Sequence, residues 1–152
     1  MLDIDFHKQF NDAYGHPEGD RCISMIAAAL NRAVRRASDL TARYGGEEFA
    51  CVLPGADHGA ALIVAKAIVD QLRSLGIPHR NSSVSPYVTV SAGIATALCV
   101  PGMTPDLWIK TADNQLYVAK AAGRNNVIGT VFGAGNNNEI VDAPAPESAI
   151  MG

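Results

Sequence analysis

Apolar side chains recur at helical spacing in three long stretches of the chain. In residues 23–37, 57–75 and 104–123 they lie three or four positions apart, the spacing that lines one face of a helix against a core. Gly76 and Gly123 follow the last two stretches, as is typical where helices end. The pattern therefore predicts three amphipathic helices.

Five shorter stretches are typical of strands, because they alternate in polarity or are rich in β-branched residues: residues 1–5, 41–44, 47–53, 87–98 and 126–131. A short helix that ends at Gly15 is predicted between the first strand and the first long helix, with Asp5 as its N-cap. Thr104 followed by Pro105 predicts the cap and first turn of the last helix.

The order of these elements favours an α+β fold, in which helices flank a mixed or antiparallel sheet. The helices are too few to cover both faces of a parallel sheet, and one strand pair is a tight hairpin. Residues 1–131 are expected to form one domain, and residues 132–152, which are short of large apolar side chains, a disordered tail. Because the first strand begins within its pattern, we also expect a segment upstream of Met1.

Composition narrows the possible functions. The 152 residues are 48% hydrophobic and 18% charged, which is typical of a globular domain, and no apolar run approaches the roughly 20 residues of a membrane span. The formal net charge is −3 with scattered basic residues, which argues against DNA or RNA as a partner. Cys22, Cys51 and Cys99 lie among apolar residues, which favours reduced core thiols in a cytoplasmic protein, although a longer protein could carry a membrane anchor elsewhere.

The predicted hairpin carries the first candidate chemistry. Gly45 and Gly46 can take the positive φ of a tight turn and leave its backbone open to a ligand. Glu47 and Glu48 open the returning strand, where only one of them can face a given site. Such a carboxylate, together with Asp3 at the end of the first strand, would suit a hard cation such as Mg²⁺ and substrate phosphates. Solvated glutamates on a surface turn are the alternative.

Two further pairs of polar residues could recognise a nucleotide. Lys120 and Arg124 lie one turn apart around the end of the last helix, where they could hold a phosphate chain or balance the negative helix end. Asn11 and Asp20 offer an amide and a carboxylate that complement the hydrogen-bonding edge of guanine and would reject adenine.

Four signatures occur in the order in which one family carries them, and they span residues 2–125. The chain resembles the GGDEF domain of diguanylate cyclases in the segments Leu2-Asp3-Ile4-Asp5, Lys8, Asn11-Asp12, Gly15-His16 and Gly19-Asp20, Arg43-Tyr44-Gly45-Gly46-Glu47-Glu48-Phe49, Ala112-Asp113, Leu116-Tyr117, Ala119-Lys120 and Gly123-Arg124-Asn125. The resemblance implies a palm-like fold, related to ferredoxin-like folds and to class III nucleotide cyclases. It also implies the condensation of two GTP molecules to cyclic di-GMP and two pyrophosphates.

The resemblance implies roles for individual residues as well. Asp3, the Ile4 carbonyl and Glu47 would hold Mg²⁺ or Mn²⁺, with Glu48 as a secondary candidate, and Glu47 would accept the proton of the attacking 3′-hydroxyl. The substrate-binding residues would be Phe6, His7, Lys8, Asn11, Asp20, Gly45, Gly46, Lys120 and Arg124. Each domain would hold one GTP, so a homodimer is expected, brought together by a sensor or dimerisation domain upstream of this chain.

The chain also carries a candidate regulatory site, and it departs from the family pattern at its N-terminus and at His7. Arg36 and Asp39 stand at the spacing of an Arg-x-x-Asp site at which cyclic di-GMP inhibits many members. The family's N-terminal lead-in is missing, and His7 stands where an apolar residue is usual. The alternative function is therefore a weakly active or inactive GGDEF module that binds cyclic di-GMP or GTP as a sensor.

Overall fold

The computed structural model describes residues 1–34 and 36–133, so most of the predicted tail, residues 134–152, lies outside the described residues. Within the described part the elements follow the predicted order. They are β1 (Leu2–Ile4), α1 (His7–Tyr14), α2 (His16–Ala33), β2 (Leu40–Gly45), β3 (Glu48–Val52), α3 (His58–Arg73), β4 (Val90–Thr96), α4 (Pro105–Ala121) and β5 (Val127–Val131).

One mixed sheet with the strand order β2-β3-β1-β4-β5 forms the centre of the molecule. β4 and β5 are parallel, and the other neighbouring strands are antiparallel. The short strand β1 is the central one, so the residues at its carboxyl end lie between the β2–β3 hairpin on one side and β4 on the other. The predicted α+β, palm-like fold is confirmed.

Helices cover both faces of this sheet. Apolar side chains of β1, β3 and β4 pack with α1, α2 and α3 into one core, which includes Ile4, Ile26, Phe49 and Ile68. On the other face α4 lies directly on β4, where a Cβ at Gly93 would collide with the α4 backbone. Glycine at this position therefore allows the close approach of helix and strand.

Side-chain caps fix the starts of α4, as predicted, and of α3. Thr104 accepts a hydrogen bond from the Leu107 N–H at 3.4 Å, and Pro105 stands in the first turn of α4. Asp57 accepts from the Ala60 N–H at 2.7 Å at the start of α3. Gly15, with φ +86°, ends α1 as predicted, but α2 begins at His16, seven residues before the predicted apolar stretch.

Two predicted elements have boundaries that differ from the observed ones. α2 ends at Ala33 and not near residue 37, because Val34 is extended and the chain turns towards β2, with the Asp39 N–H donating to the Arg36 carbonyl. β4 begins at Val90 and not at residue 87, because Tyr87 pairs locally with Pro78 in the preceding loop.

The predicted N-cap role of Asp5 is wrong. Phe6 is the N-cap residue of α1, in the left-handed conformation, and among the described residues no side chain caps this helix. The Asp5 carboxylate instead points into the sheet, where the hydroxyls of Thr89 and Ser91 donate to it. These buried donors compete for the carboxylate more effectively than the helix end does, because hydrogen bonds shielded from water are stronger.

The cysteines only partly match the prediction of core thiols. Cys22 is buried and Cys51 half-buried, whereas Cys99 is exposed in the loop after β4, and all three are free thiols. Among the described helices, none is both long and apolar enough to cross a membrane.

Candidate functional site

The β2–β3 hairpin is formed as predicted, but its turn lies one residue later. Gly45 is the last residue of β2, and Gly46, with φ +50°, forms the turn with Glu47. The Arg43 side chain donates to the Gly46 carbonyl, with Nε 2.8 Å from the oxygen. A Cβ on either glycine would meet no atom within 4 Å, so the backbone at the tip is open to a ligand.

Three carboxylates come together where β1 lies beside β3. Asp3 pairs in register with Glu48, and Glu47 projects from the turn, with its Oε2 3.8 Å from His7 Nδ1. Asp3 is only 8% exposed, and burial raises its pKa above the ordinary value of 3.8. Lys120 lowers this pKa, whereas the charges of Glu47 and Glu48 raise it, so both glutamates lie within electrostatic reach of Asp3.

Lys120 is part of this cluster. Its Nζ lies 2.9 Å from Asp3 Oδ2, although the two residues belong to the last turn of α4 and to β1. Lys120 therefore does more than offset the negative end of the helix dipole. Lys120 lowers the pKa of Asp3 through its hydrogen bond and its charge, but burial keeps this pKa above the ordinary value.

The cluster fits a divalent cation of the hard, oxygen-binding class. It offers carboxylate oxygens whose mutual repulsion a cation would relieve, and these are the donors that Mg²⁺ and Mn²⁺ prefer. Within the described residues, no group of three or more His, Cys, Asp or Glu side chains is arranged to hold a metal by itself. This agrees with the habit of Mg²⁺ of binding through one or two carboxylates, with water and substrate phosphates as its other ligands.

The turn from β1 into α1 presents backbone N–H groups beside this cluster. Phe6 has φ 57°, a conformation that is rare for a residue with a side chain. Its carbonyl accepts from the Phe10 N–H at 2.9 Å and lies 3.1 Å from His79 Nε2. The first N–H groups of a helix have no partner within it, so those of His7 and Lys8 could bind an anion.

Arg124 lies against the same turn. Its guanidinium carbon is 4.4 Å from the centre of the Phe6 ring, a cation–π contact. Lys120 and Arg124 therefore have different partners in this structure. Lys120 contacts the Asp3 carboxylate, whereas Arg124 contacts the ring of Phe6 at the start of α1.

Asn11 and Gly19 form a small recess between α1 and α2. Asn11 Oδ1 is buried without a hydrogen-bond partner in the described part of the chain. A Cβ at Gly19 would collide with this oxygen, so glycine leaves room for the Asn11 side chain. Asp20, the residue after Gly19, is exposed. A buried and unpaired amide oxygen is costly, which favours a ligand that donates to it.

Arg36 and Asp39 pair with each other at the surface. Arg36 Nε lies 3.0 Å from both carboxylate oxygens of Asp39, and Nη2 lies 3.3 Å from the Pro54 carbonyl. The hydrogen bond from the Arg36 guanidinium lowers the pKa of Asp39 below its ordinary value, and the Asp39 carboxylate raises the pKa of Arg36. The two residues therefore form one patch, an ion pair at the end of the β2–β3 hairpin opposite its tip.

Comparison with known protein families identifies a match over most of the chain. Residues 1–126 match the family described as "Diguanylate cyclase, GGDEF domain". The chain belongs to the GGDEF domain family. In this GGDEF domain the signature hairpin reads Gly45-Gly46-Glu47-Glu48-Phe49.

Individual relatives give the same picture. The GGDEF domain is 39% identical to the response regulator PleD of Caulobacter vibrioides over 85% of the chain, which spans 28% of PleD. It resembles the GGDEF domain of DgcB from Caulobacter crescentus, solved in complex with c-di-GMP, with 34% identity, a TM-score of 0.72 and coverage of 84% and 74% of the two chains. The active GGEEF domain of a diguanylate cyclase from Vibrio cholerae is 26% identical, with a TM-score of 0.66 and coverage of 84% and 78%.

Two buried residues of this GGDEF domain were missed as parts of the site. Asp5 is predicted only as a helix cap and His79 is not singled out, yet Asp5 accepts from the Asn125 N–H beside Arg124, and His79 contacts the Phe6 carbonyl. A charged residue between the apolar Ile4 and Phe6 is a weak signal of a buried polar role. Nothing in the local sequence signals the contact of His79, because its partner lies 73 residues earlier.

Proposed function

We propose that this GGDEF domain is a diguanylate cyclase, which condenses two GTP molecules into cyclic di-GMP and two pyrophosphates. The observation that carries the proposal is the cluster of Asp3, Glu47, Glu48 and Lys120 beside the open hairpin tip, in a chain of the GGDEF family. Its carboxylates suit a metal-assisted phosphoryl transfer, in which positioning and charge stabilisation supply most of the catalysis.

In the proposed reaction Glu47 accepts the proton of the 3′-hydroxyl of one GTP. That oxygen forms a bond with the α-phosphorus of a second GTP, and the bond from this phosphorus to the oxygen that bridges to the β-phosphorus breaks. Pyrophosphate leaves with the bonding electrons. A second transfer of the same kind closes the ring and releases the second pyrophosphate.

Asp3, the Ile4 carbonyl and Glu47 would hold Mg²⁺ or Mn²⁺, with Glu48 in support. When bound, the cation would offset the negative charge that builds up on the phosphates. Lys120 and Arg124 would hold the far end of the triphosphate, and the open N–H groups at residues 6–8 would hold its other phosphates. The exposed backbone of Gly45 and Gly46 would allow the nucleotide to approach the hairpin.

Guanine would be bound by Asn11 and Asp20. The unpaired Oδ1 of Asn11 supports this assignment, because guanine carries N–H donors on the edge that would face it. Adenine carries an acceptor at N1 in place of the N1–H donor of guanine, so it would leave one of the two protein groups without its hydrogen bond, which discriminates between the bases.

The proposed reaction needs two domains that face each other, because each provides one nucleotide site. A sensor or dimerisation domain in the full-length protein would raise their effective concentration. Cyclic di-GMP would bind at the Arg36–Asp39 patch and inhibit the enzyme, since a guanidinium can bind guanine O6 and N7 or a phosphate with two hydrogen bonds.

The test is product analysis. The purified chain is incubated with GTP and Mg²⁺, and cyclic di-GMP and pyrophosphate are quantified by chromatography. Glu47→Gln should lower the rate by at least roughly a hundredfold, the effect expected when one electrostatic contribution to catalysis is removed. Glu18→Gln, which changes an exposed glutamate beside Arg21, is the matched control and should not lower it. Nucleotide binding without product in the wild-type protein would instead support the sensor function.

A further inference from the structure

We propose that Asp5 is a positioning residue for triphosphate recognition, which holds the turn that carries Arg124 against the start of α1. This inference rests on the proposed function, since it takes Arg124 as a ligand of the triphosphate. Asp5 itself touches no substrate, because its side chain is only 1% exposed.

The Asp5 carboxylate accepts three hydrogen bonds from two separate parts of the fold. The Ser91 hydroxyl donates to Oδ1 at 2.7 Å, and the Thr89 hydroxyl donates to Oδ2 at 2.8 Å. The backbone N–H of Asn125 donates to Oδ2 at 3.0 Å. The first two donors fix the carboxylate to the start of β4 and to Thr89, the residue just before it, and the third ties the turn after α4 to it.

That turn needs such support. Arg124 has φ 64° and Asn125 φ 48°, so two successive residues with side chains adopt the left-handed conformation. Each such residue is strained, and the strain persists only where surrounding contacts hold it. The Asn125 side chain also accepts from Arg73 Nη2 at 3.0 Å, which fixes the outer side of the turn, whereas Asp5 fixes the inner side.

The position of Arg124 follows from the same residue. The backbone of Asp5 leads directly into Phe6, over whose ring the Arg124 guanidinium lies. The carboxylate of Asp5 holds Asn125, the residue next to Arg124. Asp5 therefore sets the distance between the first turn of α1 and Arg124, two groups that would bind the same phosphate chain.

A purely structural role for Asp5 would have a different consequence. If Asp5 only stabilised the sheet, its loss would weaken the binding of every ligand of the domain to a similar degree. If Asp5 positions Arg124, its loss should weaken the binding of nucleotides with a triphosphate and leave the binding of those with a monophosphate unchanged. The effect should also depend on Arg124.

The experiment uses the purified chain and two nucleotides that cannot react, 3′-deoxy-GTP and 3′-deoxy-GMP, because both lack the attacking hydroxyl. Calorimetry gives their dissociation constants for the wild-type protein, Asp5→Ala, Asp5→Asn, Arg124→Ala and the double variant of Asp5→Ala with Arg124→Ala. Asp57→Ala is the matched control, since it also removes a carboxylate that accepts a backbone N–H, at the distant start of α3.

We expect Asp5→Ala to weaken the binding of 3′-deoxy-GTP at least roughly tenfold and the binding of 3′-deoxy-GMP less than about twofold. Asp5→Asn, whose amide oxygen can still accept from Thr89 and Asn125, should stay within about threefold of the wild-type protein. In the Arg124→Ala background, Asp5→Ala should change triphosphate affinity less than about twofold, because residues that act through one group are not additive.

Equal losses for both nucleotides, or fully additive losses in the double variant, would overturn the proposal. If Asp5→Ala does not fold, Ser91→Ala decides, since it removes one donor to Asp5; it should lower the preference for the triphosphate, and an unchanged preference would contradict the proposal. A wild-type protein that does not prefer the triphosphate would contradict the proposed function instead, whatever the variants show.

Discussion

Lys120 Nζ lies 2.9 Å from Asp3 Oδ2, so a cation of α4 contacts the carboxylate that would hold the divalent metal. The pair joins two of the proposed roles of the site, phosphate binding and metal binding, in one contact. When metal and triphosphate bind, the phosphate chain would offer Lys120 a second partner besides Asp3.

The contact predicts competition between Lys120 and the metal. Lys120→Met should strengthen Mn²⁺ binding in the absence of nucleotide by roughly fivefold, since a partly exposed ion pair contributes on the order of 1 kcal/mol. The same variant should weaken GTP, because a phosphate ligand is lost. Calorimetric titration with Mn²⁺ alone measures the first effect, with Lys110→Met, an exposed lysine of the same helix, as control. Weaker Mn²⁺ binding in Lys120→Met would contradict this account.

The variant Gly19→Ala tests the guanine site without changing a residue that would contact the ligand. Gly19→Ala places a methyl group where Asn11 Oδ1 lies, so the Asn11 side chain must move. Affinity for GTP should fall at least roughly tenfold while affinity for ATP changes little, so the preference for GTP over ATP becomes smaller. The fold should survive, because alanine stabilises a helix by about 1 kcal/mol relative to glycine.

Gly59→Ala in α3 is the matched control, since the added methyl group meets only ordinary contacts there. Fluorescence competition with both nucleotides measures the preference. If Gly19→Ala weakens GTP and ATP by the same factor, Asn11 serves the structure and not base recognition.

Arg36 tests the inhibitory site. Arg36→Ala should weaken cyclic di-GMP at least roughly tenfold, the loss expected for one bidentate contact, and leave the initial rate with GTP unchanged. The stability should change little, because the Arg36 side chain is half exposed and ion pairs of exposed side chains contribute little to stability. Calorimetry with cyclic di-GMP, beside Arg21→Ala as an exposed control in α2, gives the comparison. The same product affinity in Arg36→Ala and wild type would rule out this site.

His79 predicts a pH dependence of stability. Burial lowers the pKa of His79 below its ordinary value of 6.5, opposed by its hydrogen bond to the Phe6 carbonyl, while the charge of His7 lowers it further. Below pH 6.5 the unfolded chain therefore binds a proton that the folded chain resists. The free energy of unfolding should fall as the pH drops below 6.5, and the contribution of His79 should be fully present above it.

His79→Gln should flatten this dependence, because glutamine can still donate to the Phe6 carbonyl but does not titrate in this range. Urea unfolding at several pH values between 5 and 8 measures the slope, with His16→Gln, an exposed histidine, as control. A variant with the same slope as the wild-type protein would show that other groups cause the pH dependence.

Local patterns predicted most of the fold. Helical spacing, the Thr104 cap and the glycine stops identified the long helices, and the hairpin followed from its adjacent glycines. The end of α2 was missed because Val34 continues the apolar spacing although its backbone is extended. Spacing reports which side chains are apolar, and it is blind to where the chain must turn to reach the next strand.

The candidate site was predictable in its membership and less so in its contacts. Asp3, Glu47 and Lys120 were singled out from the sequence, but the ion pair between Lys120 and Asp3 joins residues 117 positions apart. Glu47 lies in the turn and not in β3, and Asp5 is buried. Both positions also depend on long-range contacts, namely the register of β1 with its neighbouring strands. Such long-range pairings are set by tertiary packing, which local patterns do not contain.

The central claim is that two copies of this site join two GTP molecules, and the rate per protomer over a wide protein dilution series tests it most directly. The chain is incubated with saturating GTP and Mg²⁺, cyclic di-GMP is quantified, and light scattering gives the oligomeric state at each concentration. We expect the specific activity to rise with protein concentration, because two domains must meet before the nucleotides reach each other. A high specific activity that stays constant on dilution, in a protein that is monomeric throughout, would contradict the account.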